Sequence, residues 1–285
     1  MATDSRPGWY QEGVQSINPE AQLLLQTYSG LSADEVLPHV LALYKSQRDK
    51  AFQIFPYPCI GQMRFLNFNL SHLAFYPRIL KHLQSDPTAG FLDAGCCIGQ
   101  EIRSLAHAGI PGSQLYGFDL EPGFFDLGYQ LFRDQGRLHA TLVAGDLGLE
   151  ENQYVASELV KTLTGKIDIV WAGSLLHFWD YEGQVDATVR LVRMCRDRKG
   201  VVVCGRQMGS LFAGMYTLTG LMEKEHYRHN VQSLKGLWFD VAARTQTKWE
   251  VEAQLEVGET TTSTKDLSFS DANARVVWWC ATRVE

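Results

Sequence analysis

The run FLDAGCCIGQ at residues 91–100 is the most restrictive stretch of the chain. A short apolar strand ends there in Asp93, and a loop follows whose glycines, Gly95 and Gly99, stand four apart. Glycine lets a backbone turn sharply and approach a ligand with no Cβ in the way, as the first strand-to-helix crossing of a nucleotide-binding sheet requires. A dinucleotide loop wants G-x-G-x-x-G, but counting from Gly95 the later glycine positions hold Cys97 and Gln100. What remains is D-x-G-x-x-x-G, for which an ordinary strand-to-helix turn is the alternative to a cofactor loop.

From residue 90 onward short apolar strands alternate with helices, the pattern of a mostly parallel sheet. Strands are expected at 90–94, 115–119, 139–144, 167–172 and 200–205, with helices at 124–135 and 183–195. Segments 249–257 and 275–283 then make an antiparallel hairpin at the sheet edge. The expectation is an α/β core at 90–285, doubly wound and mostly parallel, with seven strands. Residues 1–89 read instead as an N-terminal helical cap. Asn18 and Pro19 suit an N-cap and first helical position, and residues 32–35 have capping-box spacing before an amphipathic helix. The prolines within 52–58 forbid a regular helix there, and an aromatic stretch, 65–77, follows. About 40 residues separate strand five from the next strand, too many for a simple connection. This span, 206–245, is expected to be a lid insertion carrying Phe212, Met215, Tyr216, Trp238 and Phe239.

Composition narrows the partners. With 26 Lys and Arg against 32 Asp and Glu, the net charge of -6 gives no electrostatic reason for a nucleic-acid partner. The six cysteines include no pair at zinc-ligand spacing, so free thiols and no metal are expected. No apolar stretch approaches the roughly 20 residues that cross a bilayer, and the first residues lack a secretory apolar run. A cytoplasmic protein with no membrane partner is the expectation.

The strand ends carry the chemistry. Asp119 closes strand two, where a carboxylate can bind both ribose hydroxyls; a helix N-cap before Glu121 and Pro122 is the alternative. Gly145, Asp146 and Leu147 close strand three, although a Gly-Asp turn is common by itself. Acids or glycines at successive strand ends fit a ligand crevice, because open sheets bind ligands at that edge. His177 is the histidine that follows a core strand within a loop on the cofactor side. With an ordinary pKa near 6.5 it can take a proton from a phenol or hold a carboxylate, or merely donate to a loop carbonyl. Arg64 is a candidate for gripping a carboxylate, against the reading of a surface-paired arginine. Cys96 reads as a small apolar filler rather than a nucleophile.

Together FLDAGCCIGQ, YGFDLEPGFF, AGDL, WAGSLLHFWDYEGQ and the N-terminal run AFQIFPYPCIGQMRFLNFNLS resemble class I S-adenosylmethionine-dependent methyltransferases, in particular fungal secondary-metabolite enzymes of meroterpenoid pathways. The resemblance implies S-adenosylmethionine as cofactor, held by Asp93, Gly95, Cys96, Gly99, Asp119, Leu120, Gly145, Asp146, Leu147 and Ala172. His177 would be the catalytic side chain, with Arg64, Phe65, Phe178, Met215 and Tyr216 about the acceptor. It also implies methyl-ester formation on a prenylated aromatic polyketide acid, a small-molecule partner, and leaves a homodimer open. The residues themselves do not distinguish a carboxylate from a phenol. A non-catalytic scaffold, or a cyclase or isomerase on the same fold, is the alternative.

Overall fold

The computed structural model describes residues 15–54, 63–218, 222–256 and 272–285. The arm with Trp9 and Tyr10, the prolines Pro56 and Pro58, Cys59 and the loop 258–271 lie outside the described residues.

Helices α1 (Pro19–Thr27), α2 (Ala33–Ile54) and α3 (Tyr76–Ser85) precede the sheet. The Asn18 carboxamide caps α1 by accepting from the Ala21 N–H at 2.8 Å, and its amide reaches the Leu66 carbonyl at 2.6 Å. One residue thus starts a helix and pins it to the segment before the core. Helix α2 extends to Ile54, so residues 52–54 are helical where the nearby prolines suggested otherwise. The restriction from Pro56 falls on the residue just before it and not further back.

The core strands are β1 (Phe91–Ala94), β2 (Leu115–Asp119), β3 (Thr141–Ala144), β4 (Ile169–Gly173) and β5 (Val202–Ser210). Helices α4 (Gln100–His107), α5 (Gly123–Phe132), α6 (Glu151–Ala156), α7 (Glu158–Leu163) and α8 (Tyr181–Met194) connect them. Hairpin β6 (Gly214–Leu218) and β7 (Met222–Arg228), helix α9 (Val231–Thr245), β8 (Trp249–Leu255) and β9 (Ala274–Arg283) follow. The main sheet runs β3-β2-β1-β4-β5-β9-β8, with β1 to β5 parallel and β9 antiparallel to both neighbours. This is the doubly wound, seven-stranded, mostly parallel sheet that the alternation implies.

The order reverses between β1 and β4, and that crevice is where an open sheet binds ligands. All four residues of β1 are buried, as befits a central strand covered on both faces. Strand β5 runs five residues past Gly205, where the sequence suggested a stop. The reason is β9, which pairs along all of it from Val202 to Ser210. Gly205 is no terminator: a Cβ there would lie 2.3 Å from the Trp279 indole, so glycine makes room for that ring.

Of the span 206–245, the first residues belong to β5 and the last form α9, whose Leu234, Leu237, Trp238 and Val241 join the main core. Among the described residues, the β6–β7 hairpin alone forms a separate sheet.

Helix α5 rests directly on the loop after β1. A Cβ at Gly128 would come within 2.3 Å of the Ile98 carbonyl oxygen and 3.0 Å of Arg103 Nη1. In an exposed helix Gly→Ala is worth about 1 kcal/mol of stabilisation. Here the Gly128→Ala variant is expected to lose about 1–3 kcal/mol through overpacking and to displace the loop. A urea unfolding curve beside a cofactor-binding titration checks both effects.

Candidate active site

The loop after β1 packs three left-handed residues into five: Gly95 (φ 74°), Cys97 (φ 49°) and Gly99 (φ 71°). The two glycines adopt this freely; Cys97 does so at a steric cost. A compensating bond is present, since the Cys97 N–H donates to Asp119 Oδ2 at 2.7 Å. The Gly95 and Cys96 N–H groups both donate to the Phe118 carbonyl at 2.9 Å, and Gly145 donates to the Asp119 carbonyl at 2.9 Å. Ends of β1, β2 and β3 are thereby tied into one rim. The β4 loop joins them: a Cβ at Gly95 would meet Leu175 Cδ1 at 3.0 Å.

Beneath the loop lies a fully buried guanidinium. Arg103 donates to the Ile98 carbonyl at 2.6 Å and the Gly99 carbonyl at 3.2 Å, and grips both oxygens of Asp134 at 2.8 and 3.0 Å. Tyr28 of the cap donates to the same carboxylate at 2.9 Å, and the Phe132 ring lies 4.7 Å from Arg103 Cζ. The sequence reading missed this support, and nothing in the local pattern around Asp134 announces it.

Three carboxyl groups converge on the rim. Asp93, Glu101 and Asp119 are all under 9% exposed. Burial, then the nearby Glu101 and Asp119, hold the Asp93 carboxyl well above the usual carboxylate range, and its Oδ2 is buried without a hydrogen-bond partner. Burial pushes Glu101 up to about 7 even though it accepts from the Asn69 and Leu70 N–H groups. Burial also raises Asp119, against hydrogen bonds from the Glu121, Cys97 and Leu120 amides. Packed acids with an unsatisfied oxygen suit a ligand bearing positive charge and N–H or O–H donors.

The wall around the loop after β4 is basic. His177 sits on a single 3-10 turn, Leu176–Phe178, after β4, with its ring 4.7 Å from that of Phe178. Its Nδ1 is buried without a partner. Burial, then the charges of His226, Arg228 and Arg64, lower its basicity to about 3. Sequence reasoning did not find His226 and Arg228, which alternate on β7 so that they share a face. They are 2% and 1% exposed, and Arg228 Nε donates to His226 Nε2 at 3.0 Å. Buried Gln184 of α8 holds this wall together. Its amide donates to the carbonyls of Trp179 (3.0 Å) and Tyr227 (2.7 Å), and the Tyr227 N–H meets the Trp179 carbonyl at 3.0 Å.

Other expected site residues fall as follows. Cys96 is buried with its sulfur near Gly117, so it presents backbone rather than thiol to the crevice. Leu120, 45% exposed, stands open beside Asp119. Asp146 accepts from the Gly148 N–H at 2.6 Å, whereas Leu147 and Ala172 are buried in the core. Phe65 packs against the cap cluster next to Arg64. Met215 is exposed, and the Tyr216 hydroxyl bonds Ser210 and the Phe212 carbonyl at 3.0 and 2.8 Å. Among the described residues no cluster of His, Cys, Asp or Glu could hold a metal ion, and no helix is long and apolar enough to cross a membrane.

Comparison with known proteins points one way. Residues 9–66 match the meroterpenoid methyltransferase N-terminal domain. The chain is 43% identical to the O-methyltransferase phiE of a fungal species (strain ATCC 74256), covering 86% of this chain and 79% of that one. It is 38% identical to the O-methyltransferase atr3 of Stereocaulon alpinum, over 88% and 70%, respectively. The Asnovolin E/Chermesin D methyltransferase nvfJ of Aspergillus novofumigatus is 32% identical over 83% and 81%. Among solved structures, phospholethanolamine N-methyltransferase 2 of Haemonchus contortus, in complex with phosphomonomethylethanolamine and S-adenosylhomocysteine, shares the fold. Its TM-score is 0.50, with 14% identity, over 73% of this chain and 52% of that one.

The lowered histidines make stability depend on pH in a definite direction. Burial and the Arg228 charge hold His226 down to about 4, so between about 6.5 and 4 the unfolded chain takes up a proton that the folded one refuses. Stability from this group is present above 6.5 and falls with pH, by up to about 1.4 kcal/mol per pH unit. Raised Glu101 acts in the opposite sense, because its folded form holds a proton up to about 7. The His226→Gln variant is expected to show a shallower loss between pH 6.5 and 4.5 than the parent, read from the denaturation midpoint against pH.

Proposed function

Because this chain belongs to the class I S-adenosylmethionine-dependent methyltransferases of fungal secondary metabolism, we propose that its reaction is O-methylation of a carboxylic acid on a small, apolar aromatic or terpenoid-polyketide acceptor. S-adenosylmethionine, when bound, supplies a methyl group already activated by its sulfonium, which passes to the acceptor oxygen to give the methyl ester and S-adenosylhomocysteine. The acidic rim fits that cofactor. The unsatisfied Asp93 oxygen can accept from its ammonium or hydroxyl groups, and Asp119, already oriented by three backbone amides, suits the ribose. Gly95 and Gly99 let the backbone run close beside it, and Asp146 with Gly145 closes the rim at the adenine end. Leu120 offers an open apolar side chain there.

The observation that carries the acceptor assignment is the company His177 keeps. A carboxylic acid is ionised at neutral pH and gives up no proton during methylation; a phenol, with a pKa near 10, must lose one. A histidine held to about 3 is a poor base for a phenol. The same positive charges that suppress its proton affinity favour a bound carboxylate, and His177 then orients one oxygen while proximity and alignment lower the barrier. Arg64 adds charge from the cap side, and Phe65, Phe178 and Met215 offer apolar surface for the rest of the acceptor.

Incubation with S-adenosylmethionine and paired prenylated aromatic acids and phenols should give methyl esters, identified by mass spectrometry and alkaline hydrolysis. Methyl ethers from the phenols, with no ester, would sink the assignment. The His177→Ala variant is expected to lose about 10–100-fold in kcat/KM while binding S-adenosylhomocysteine normally. Asp93→Asn is expected to do the reverse, weakening cofactor binding about tenfold or more by isothermal titration.

A further inference from the structure

We propose that the Trp179 indole N–H and the Asp146 carboxylate form an adenine-reading pair, Trp179 donating to a purine ring nitrogen and Asp146 accepting from the amino group beside it; this rests on the placement of Asp146 at the adenine end of the cofactor rim. Trp179 stands two residues after His177, yet its indole reaches across to the turn after β3. A Cβ at Gly148 would lie 3.7 Å from Trp179 Nε1 and 3.1 Å from Asp146 Oδ1, so the two polar atoms flank one point that glycine leaves open. The body of the ring is partly buried against the main core. A Cβ at Gly183 would meet Trp179 Cβ at 2.8 Å and Cδ1 at 3.1 Å, so a second glycine makes room for the side chain.

An indole N–H only donates and a carboxylate only accepts. Among the described residues the Trp179 ring N–H makes no hydrogen bond, and Asp146 uses only Oδ1, on the Gly148 N–H at 2.6 Å. A donor beside an acceptor is the complement of adenine, whose amino group has accepting ring nitrogens nearby. In hypoxanthine a carbonyl replaces that amino group, and its lone pairs would face those of Asp146.

Helix α8 holds the pair in register. Asp180 caps it by accepting from the Gly183 N–H at 2.8 Å, which fixes the chain directly after Trp179. Gln184 donates to the Trp179 carbonyl at 3.0 Å, and the Trp179 backbone N–H bonds the Leu176 carbonyl at 3.2 Å. Further along the same helix, Arg190 donates to the Leu147 and Leu149 carbonyls, both at 2.6 Å, and to Glu151 at 3.0 Å. The turn that bears Asp146 is thereby fastened to the helix that fastens Trp179. A pair positioned in advance needs little ordering on binding. A site built to hydrogen-bond its ligand rejects an analogue that lacks the matching group more strongly than shape alone does.

The test is calorimetric titration of the full-length protein with S-adenosylhomocysteine, its hypoxanthine counterpart S-inosylhomocysteine, and the 1-deaza and 7-deaza forms of S-adenosylhomocysteine. The parent is expected to bind the hypoxanthine form at least about tenfold more weakly. Trp179→Phe, which keeps a ring in place and removes the N–H, should lose about 3–10-fold in S-adenosylhomocysteine affinity. One deaza form should weaken binding to the parent by a similar factor and to Trp179→Phe by less than about twofold, because the variant has no donor for the missing nitrogen. That comparison is made within one variant, so a general loss of stability does not produce it. Deaza forms that weaken parent and variant alike, or neither, overturn the role of Trp179 while leaving Asp146 in place. Asp146→Asn should narrow the preference for adenine over hypoxanthine, since a carboxamide can turn its N–H toward the carbonyl. A preference unchanged in Asp146→Asn overturns the placement of Asp146 first, and the pair with it.

Discussion

A buried guanidinium supports the loop after β1, on which the acidic half of the site depends. The loop after β1 must place three left-handed residues within five positions, and a backbone so bent has carbonyls pointing where no ladder can satisfy them. Arg103 satisfies two of them, and Asp134 balances its charge. Removing one partner of such a pair strands a charge in the interior, at a cost of about 3–5 kcal/mol. Because Tyr28 donates to the same Asp134 and Gly128 lets α5 lie against Ile98, the cap, the helix and the loop after β1 share one set of contacts.

Above that support the crevice is electrically divided. Asp93, Glu101 and Asp119 make one side acidic, with no more than partial relief from backbone amides. Arg228 and Arg64 bring positive charge to the other side, around His177 and His226, whose imidazoles burial keeps neutral. A cationic methyl donor would find the acidic wall complementary. Electrostatic terms of this sort are stronger in a water-poor cleft than at a surface.

The two walls are positioned by different means. The acidic wall is built by successive strand ends of one parallel sheet, whose register is set by backbone pairing. The basic wall needs side-chain bridges, because the hairpin bearing His226 and Arg228 belongs to a separate sheet. Gln184 supplies the side-chain bridge from α8, and a backbone bridge between Gly209 and His229 adds a second tie. Positions on the core are thus inherited from the fold, whereas those on the insertion depend on a few cross-ties.

The sequence alone determined what depends on a few neighbouring residues. Asn18 with Pro19 opens a helix, the glycines of FLDAGCCIGQ demand left-handed backbone, and the strand-helix alternation specifies the sheet and the edge on which Asp93, Asp119, Asp146 and His177 emerge. Those signals are local sterics and period, so they can be read in order along the chain. Tertiary structure decided the rest: Arg103 finding Asp134 31 residues away, Gly205 accommodating Trp279, β9 entering between β5 and β8, and Arg228 of an insertion packing against His226 and Tyr216. Each of these depends on which distant surfaces pack together, and an isolated arginine or glycine carries no mark of the partner that burial will give it.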